Sequence, residues 1–69
     1  MFNENLKRAM TGRGLTPEAL AVALAKRQVT VTAGTVSAWL RGTRTPSVST
    51  VIEISKALDA TTDELLVKS

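Results

Sequence analysis

What most restricts this chain is how closely its helix-ending and helix-starting residues follow one another. Gly12 and Gly14, Gly42, and the run Thr43-Arg44-Thr45-Pro46-Ser47 interrupt a sequence of only 69 residues. Between them stand residues that begin helices: Thr16-Pro17-Glu18, Thr32, and Thr61-Thr62-Asp63-Glu64. No interval between these marks holds more than a few helical turns. Helices that short are marginal alone in water, so the chain holds a structure only by packing several of them around one core. Its length fits one domain spanning residues 1–69 and leaves no room for a second core.

Periodicity fills the intervals. Phe2, Leu6, Ala9 and Met10 recur at helical spacing before Gly12 and Gly14 close the first helix. Thr16 as N-cap, Pro17 at the first helical position and Glu18 in the first turn predict a second helix running through Ala25. Lys26 to Val31 reads differently: Val29 and Val31 alternate with Thr30 and Thr32, the pattern of a short extended segment. Thr32 then caps a third helix, Ala33 to Leu40, stopped by Gly42. A fourth begins near Val48 or Ser49, with Val51, Ile52, Ser55 and Leu58 on its inner face and Ile54 nearby. Thr61 and Glu64 have the spacing of a capping box, bonding reciprocally ahead of Leu65, Leu66 and Val67. The expected fold is all-α, a compact bundle of five short helices without a sheet.

Composition narrows the function. Without cysteine the chain has no disulfide and no thiolate metal site; without histidine it lacks the commonest general base and the commonest nitrogen ligand. Its carboxylates form no suggestive pair and it has no glycine-rich phosphate loop, so an enzyme, a metal centre or a cofactor is not expected. The longest apolar run, Ala19 to Ala25, is far too short to span a bilayer, which points to a cytoplasmic protein with no membrane partner. Charge is uneven. Residues 1–44 carry Lys7, Arg8, Arg13, Lys26, Arg27, Arg41 and Arg44 against Glu4 and Glu18, a net +5. Residues 45–69 carry Lys56 and Lys68 against Glu53, Asp59, Asp63 and Glu64, a net −2. A basic half suits a polyanion, although a solvated surface with a slight basic excess would read the same way.

The second and third helices carry most of the information. Ala21 supplies the small residue that lets one helix cross closely over another, while Leu20 and Leu24 face the core. On the third helix Val36 and Trp39 fall on the buried side, and Ala33, Gly34, Thr35 and Ala38 face outward. Trp39 invites a stacking role on bases, but its spacing with Val36 assigns it to the core. A helix of this kind lies in the major groove with its N-terminal residues at base edges.

Leu15-Thr16-Pro17-Glu18-Ala19-Leu20-Ala21, then Val36-Ser37-Ala38-Trp39-Leu40-Arg41-Gly42, then Arg44-Thr45-Pro46-Ser47, and Leu58 followed by Asp63-Glu64-Leu65-Leu66 together resemble the lambdoid phage repressor and Cro-like helix-turn-helix family. The match covers nearly the whole chain, and order and spacing carry it rather than any one element. The resemblance implies a sequence-specific transcriptional regulator that binds double-stranded DNA with its third helix in the major groove, without a small-molecule substrate. Two copies would occupy a pseudo-palindromic operator as a homodimer, at least on DNA, with self-contact around Asp59 to Leu65. Thr32, Ala33, Gly34, Thr35 and Ala38 become the residues facing bases. Thr hydroxyls bond base edges, and Thr and Ala methyls touch thymine methyls, but none of these side chains makes a bidentate contact to guanine or adenine. Gly34 instead lets the backbone approach the DNA. Arg41 and Arg44 resemble the family's phosphate-contacting loop, with hydroxyl donors from Thr43 and Thr45, and Thr16 bonds a phosphate at the second helix's N-terminus.

Two departures stand out. About five extra residues separate the helices of the motif, and Lys26 to Val31 reads as an inserted, basic, partly extended arm. Either specificity is modest, or this arm does part of the reading; Lys26 and Arg27 would then meet phosphates and Gln28 a base. Val22 and Ala23, apolar where the family is usually polar, would pack under the arm. The family's ion pair between the first and third helices is also replaced, at Met10 and Leu40, by an apolar pair expected to touch. Rival readings are a DNA-binding antitoxin of this fold and a helical protein-interaction module that does not bind DNA. Met1 suggests a natural start, while an end at Ser69 fits either a complete small protein or the DNA-binding part of a longer repressor.

Overall fold

Helices form where the start and stop residues place them: α1 Phe2–Gly12, α2 Pro17–Lys26, α3 Ala33–Arg41, α4 Val48–Leu58 and α5 Thr62–Leu66. The computed structural model describes residues 2–67. Met1, Lys68 and Ser69, and with them the readings placed on the two chain ends, lie outside the described residues.

The same local chemistry opens four of the helices. Thr16, Thr32, Ser47 and Thr61 have extended backbones, and their side-chain oxygens accept from the N–H of Ala19, Thr35, Thr50 and Glu64. Each such cap is worth about 1 kcal/mol relative to alanine. At Thr61 only this half of the capping box forms. The Glu64 carboxylate lies instead 3.4 Å from Arg13 Nη1, so a long-range charge partner prevails over the expected return bond.

One motif closes α1 to α4. Gly14, Gln28, Gly42 and Asp59 take left-handed backbones with φ of 66°, 66°, 80° and 56°. In each case the next residue's N–H reaches back five residues: Leu15 to Met10, Val29 to Leu24, Thr43 to Ala38 and Ala60 to Ser55, at 2.8–3.0 Å. This double-bonded Schellman turn suits glycine, and asparagine or aspartate tolerate it. Gln28 has no such dispensation. Gln28→Gly is expected to raise stability by about 0.5–1 kcal/mol, seen as a higher urea midpoint at unchanged slope. An unchanged or lower midpoint would mean that the left-handed backbone at residue 28 carries no strain.

This turn also corrects the reading of Lys26 to Val31. Lys26 is the last residue of α2, and the connection to α3 is not a projecting arm. Val29 and Val31 turn inward and pack against the core, which pulls the connection onto the body of the protein. Val22 is consequently not covered by it and stays 58% exposed.

The core takes Leu6, Ala9 and Met10 from α1, Leu20 and Leu24 from α2, Val36 and Trp39 from α3, Val51, Ile54 and Leu58 from α4, and Leu65 from α5. Trp39 is thus a core residue. Packing joins α2 to α3 and α4, α1 to α3 and α5, and α4 to α5. Met10 is in the core and Leu40 packs against it, so neither stands in solvent. On α4 the buried positions are Val51, Ile54, Ser55 and Leu58, while Ile52 is 39% exposed. The inner face follows the i, i+3, i+4, i+7 stripe from Val51, and Ile52 lies about 100° off it.

Two polar side chains hold the helices together. Buried Asn5 donates from Nδ2 to the Leu65 carbonyl at 2.9 Å and accepts from Arg8 Nη1 at 3.3 Å, tying α1 to α5. Arg13, just past α1, donates from Nε to the Leu58 carbonyl at 2.6 Å and from Nη1 to the Ala9 carbonyl at 2.9 Å.

Candidate nucleic-acid interface

α3 is held from behind and open in front. Val36 and Trp39 lock its inner face into the core, and α2 packs across it. That leaves the first turn at the surface: Thr32 and Gly34 are exposed, Ala33 and Thr35 half-buried. Thr32 Oγ1 accepts from Thr35 N at 3.1 Å and lies 3.2 Å from Thr35 Oγ1, so the two hydroxyls are engaged with each other and with the helix end. The remaining N–H groups of the first turn point out of the helix and give it a partial positive pole.

Gly34 has no structural reason to be glycine. A Cβ there would meet only Thr32 Oγ1, at an ordinary 3.6 Å, and its φ is not left-handed. Gly42 is the opposite case. Its φ of 80° favours glycine, and Asn3 Nδ2, 3.2 Å from where a Cβ would sit, would have to give way to any larger residue. Asn3 thereby seats the turn after α3 against the start of α1, a role for which the sequence offered no local signal.

The chain beyond Gly42 folds back on α3. The N–H groups of Thr43 and Arg44 and the Thr43 hydroxyl all converge on the Ala38 carbonyl, at 3.0, 3.4 and 3.2 Å. This corrects the placement of Ala38, which follows Gly34 by four residues on the same side of α3 but is only 6% exposed, beneath the returning chain. It also commits the Thr43 hydroxyl proton internally. Arg41 and Arg44 are exposed, and neither is ion-paired with any described residue.

At the far end of α2, Lys26 is exposed in the last turn and Gln28 is exposed on its left-handed turn. Arg27 is not available in the same way. Its Nε lies 2.8 Å from Glu53 Oε1 of α4, which draws the guanidinium toward the acidic part of the chain. Glu53, 26 residues away, escaped sequence reasoning because nothing local links it to Arg27. Thr16 Oγ1 is engaged as the α2 cap, leaving the helix start itself as the anion-facing feature.

Ser37 was also missed. It follows Ala33 by four residues and so shares its face of α3, half-buried; that spacing was the signal available. The structure therefore gathers Thr32, Ala33, Gly34, Thr35 and Ser37 on α3, sets Arg41 and Arg44 at the other end of that helix, and removes Ala38 from the set.

Among the described residues no helix is long and apolar enough to cross a membrane. A family model described as helix-turn-helix matches residues 6–65, from the core of α1 to Leu65 of α5. No curated protein and no solved structure matches the chain.

Proposed function

Since the chain belongs to the helix-turn-helix family of DNA-binding regulators, we propose that it is a cytoplasmic, sequence-specific repressor or Cro-like regulator of the phage or prophage type. The observation that carries this reading is the exposed first turn of α3, capped at Thr32 and backed by the core, with Arg41 and Arg44 exposed at the helix's other end. A helix presented in this way enters the major groove with its first turn at the base edges, while cations beside it meet phosphates and fix the register.

Within that reading Thr32, Ala33, Gly34 and Thr35 face the bases, with Gln28 reaching in from the preceding turn. Arg41, Arg44 and Lys26 meet phosphates, and the α2 N-terminus at Thr16 adds one more anion contact. Arg27 joins them only by leaving Glu53. One domain reads one half-site, so a pseudo-palindromic operator with half-sites one helical turn apart, ~34 Å, recruits two copies. The longest extent of the Cα trace is 27 Å, of the same order as that spacing.

The test is a fluorescence anisotropy titration against selected and random duplexes across a salt series. A preferred duplex should bind about a thousandfold or more tightly than random DNA. Arg44→Gln should weaken both and lower the slope of log affinity against log salt by about 0.9, one phosphate's share. Absence of binding to any duplex at low salt would leave a protein-interaction module as the better reading.

A further inference from the structure

We infer that the recognition surface reads thymine methyl groups, and that its operator half-site is defined by T·A pairs presenting their C5 methyls in the major groove. The inference rests on the DNA-binding reading above and names what that site selects.

It starts from what α3 offers. Major-groove discrimination of guanine and adenine relies on long forked or amide side chains, Arg or Lys to guanine and Asn or Gln to adenine. Along α3 the only such side chain is Arg41 in the last turn, away from the first turn, and there is no carboxylate to accept from cytosine. The two threonine hydroxyls are turned on each other and on the Thr35 N–H, so the part of Thr32 left to present is chiefly its methyl. Beside it stand the Ala33 methyl and the bare backbone of Gly34. Ser37 adds a half-buried hydroxyl, which bonds any base edge and discriminates little.

Within the first turn of α3 no longer side chain replaces them. Ala38 is buried, and Arg27 is drawn to Glu53. Gln28 is exposed, and an amide there selects adenine, which again specifies an A·T pair. The surface is therefore built of small side chains, presents methyl groups, and lies close to the helix axis. Only one feature of the major groove is complementary to such a surface, the thymine methyl, and Gly34 lets the helix come near enough to bury it.

The test takes the duplex preferred in a selection from random DNA and replaces each thymine in turn by uracil, which removes the methyl and leaves every hydrogen-bonding group in place. Affinity should fall about fourfold for each contacted thymine, the effect of exposing one buried carbon group. Replacing a contacted T·A by C·G should weaken binding further, and 5-methylcytosine at that position should recover about the same fourfold, since its methyl occupies the same place in the groove. A preferred duplex that binds as tightly with uracil at every position would overturn this inference alone. Failure to find any preferred duplex would overturn it together with the regulator reading.

Discussion

Gly34→Glu is expected to leave the protein folded, with a thermal midpoint at or above that of the parent, while specific DNA affinity falls by about two orders of magnitude or more. The two effects have separate causes. Within the protein, residue 34 is exposed in the first turn of α3, and an added Cβ meets nothing closer than 3.6 Å. Replacing glycine in a helix recovers up to about 1 kcal/mol of backbone entropy, and a carboxylate in the first turn is further favoured by the helix dipole. On DNA the same side chain occupies the gap between helix and base edges and brings a negative charge among phosphates. Gly34→Ala isolates the steric part: it should stabilise similarly and weaken binding less. Circular dichroism melts and anisotropy titrations on the same preparations give both numbers. If Gly34→Glu binds the selected duplex like the parent, the first turn of α3 does not face the groove.

How much of this was legible in the sequence follows from the range of each interaction. Helix starts were readable because a cap is local: Thr16, Thr32 and Thr61 each bond an N–H three residues away. The stops at Gly14 and Gly42 were readable because glycine announces a left-handed backbone. Gln28 takes the same backbone without announcing it, so the turn that closes α2 has no sign in the sequence, whereas the alternation of Val29 and Val31 does match their inward packing. Core membership was legible wherever the apolar stripe was unambiguous, as for Leu20, Leu24, Val36 and Trp39. In the run Val51-Ile52-Glu53-Ile54, two isoleucines compete for one face, and only packing against α2 and α5 decides for Ile54.

The site divides along the same line. Exposure of Gly34, Arg41 and Arg44 follows from helix phase and turn chemistry, both local. Burial of Ala38 depends on the chain folding back after Gly42, and the capture of Arg27 by Glu53 depends on how α4 sits. The first turns on residues only five and six places on, but it shows in the way the chain returns and not in helix phase; the second has no signature within ten residues of Arg27.

The largest loss of stability from a single charged side chain is expected at Arg13, a residue that the sequence presents only as one base among the seven of residues 1–44. Arg13→Met should cost about 1.5–3 kcal/mol in urea or thermal unfolding. A chain of this length has roughly 3–10 kcal/mol in all, so the change takes a large share. The reason is what the guanidinium holds. Its Nε and Nη1 donate to the carbonyls of Leu58 and Ala9, and Nη2 lies 3.5 Å from the Asp59 carbonyl. These are last-turn carbonyls of α4 and α1, groups a helix end leaves without partners and where the dipole favours a cation. α1 has no basic residue in its own last turn. Arg13 thus closes two helix ends at once and fixes the angle between them. The Glu64 carboxylate at 3.4 Å is a lesser part, since both side chains are about a third exposed. Glu64→Gln should therefore cost well under about 1 kcal/mol. Arg13→Lys should recover only part of the loss, because one ammonium cannot span the two carbonyls as a planar fork does. A Glu64→Gln effect as large as that of Arg13→Met would show that the ion pair, not the carbonyl clamp, holds α1, α4 and α5 together. DNA affinity separates this role from a phosphate contact: measured well below the variant's melting temperature, Arg13→Met should leave the salt slope unchanged, where Arg44→Gln lowers it.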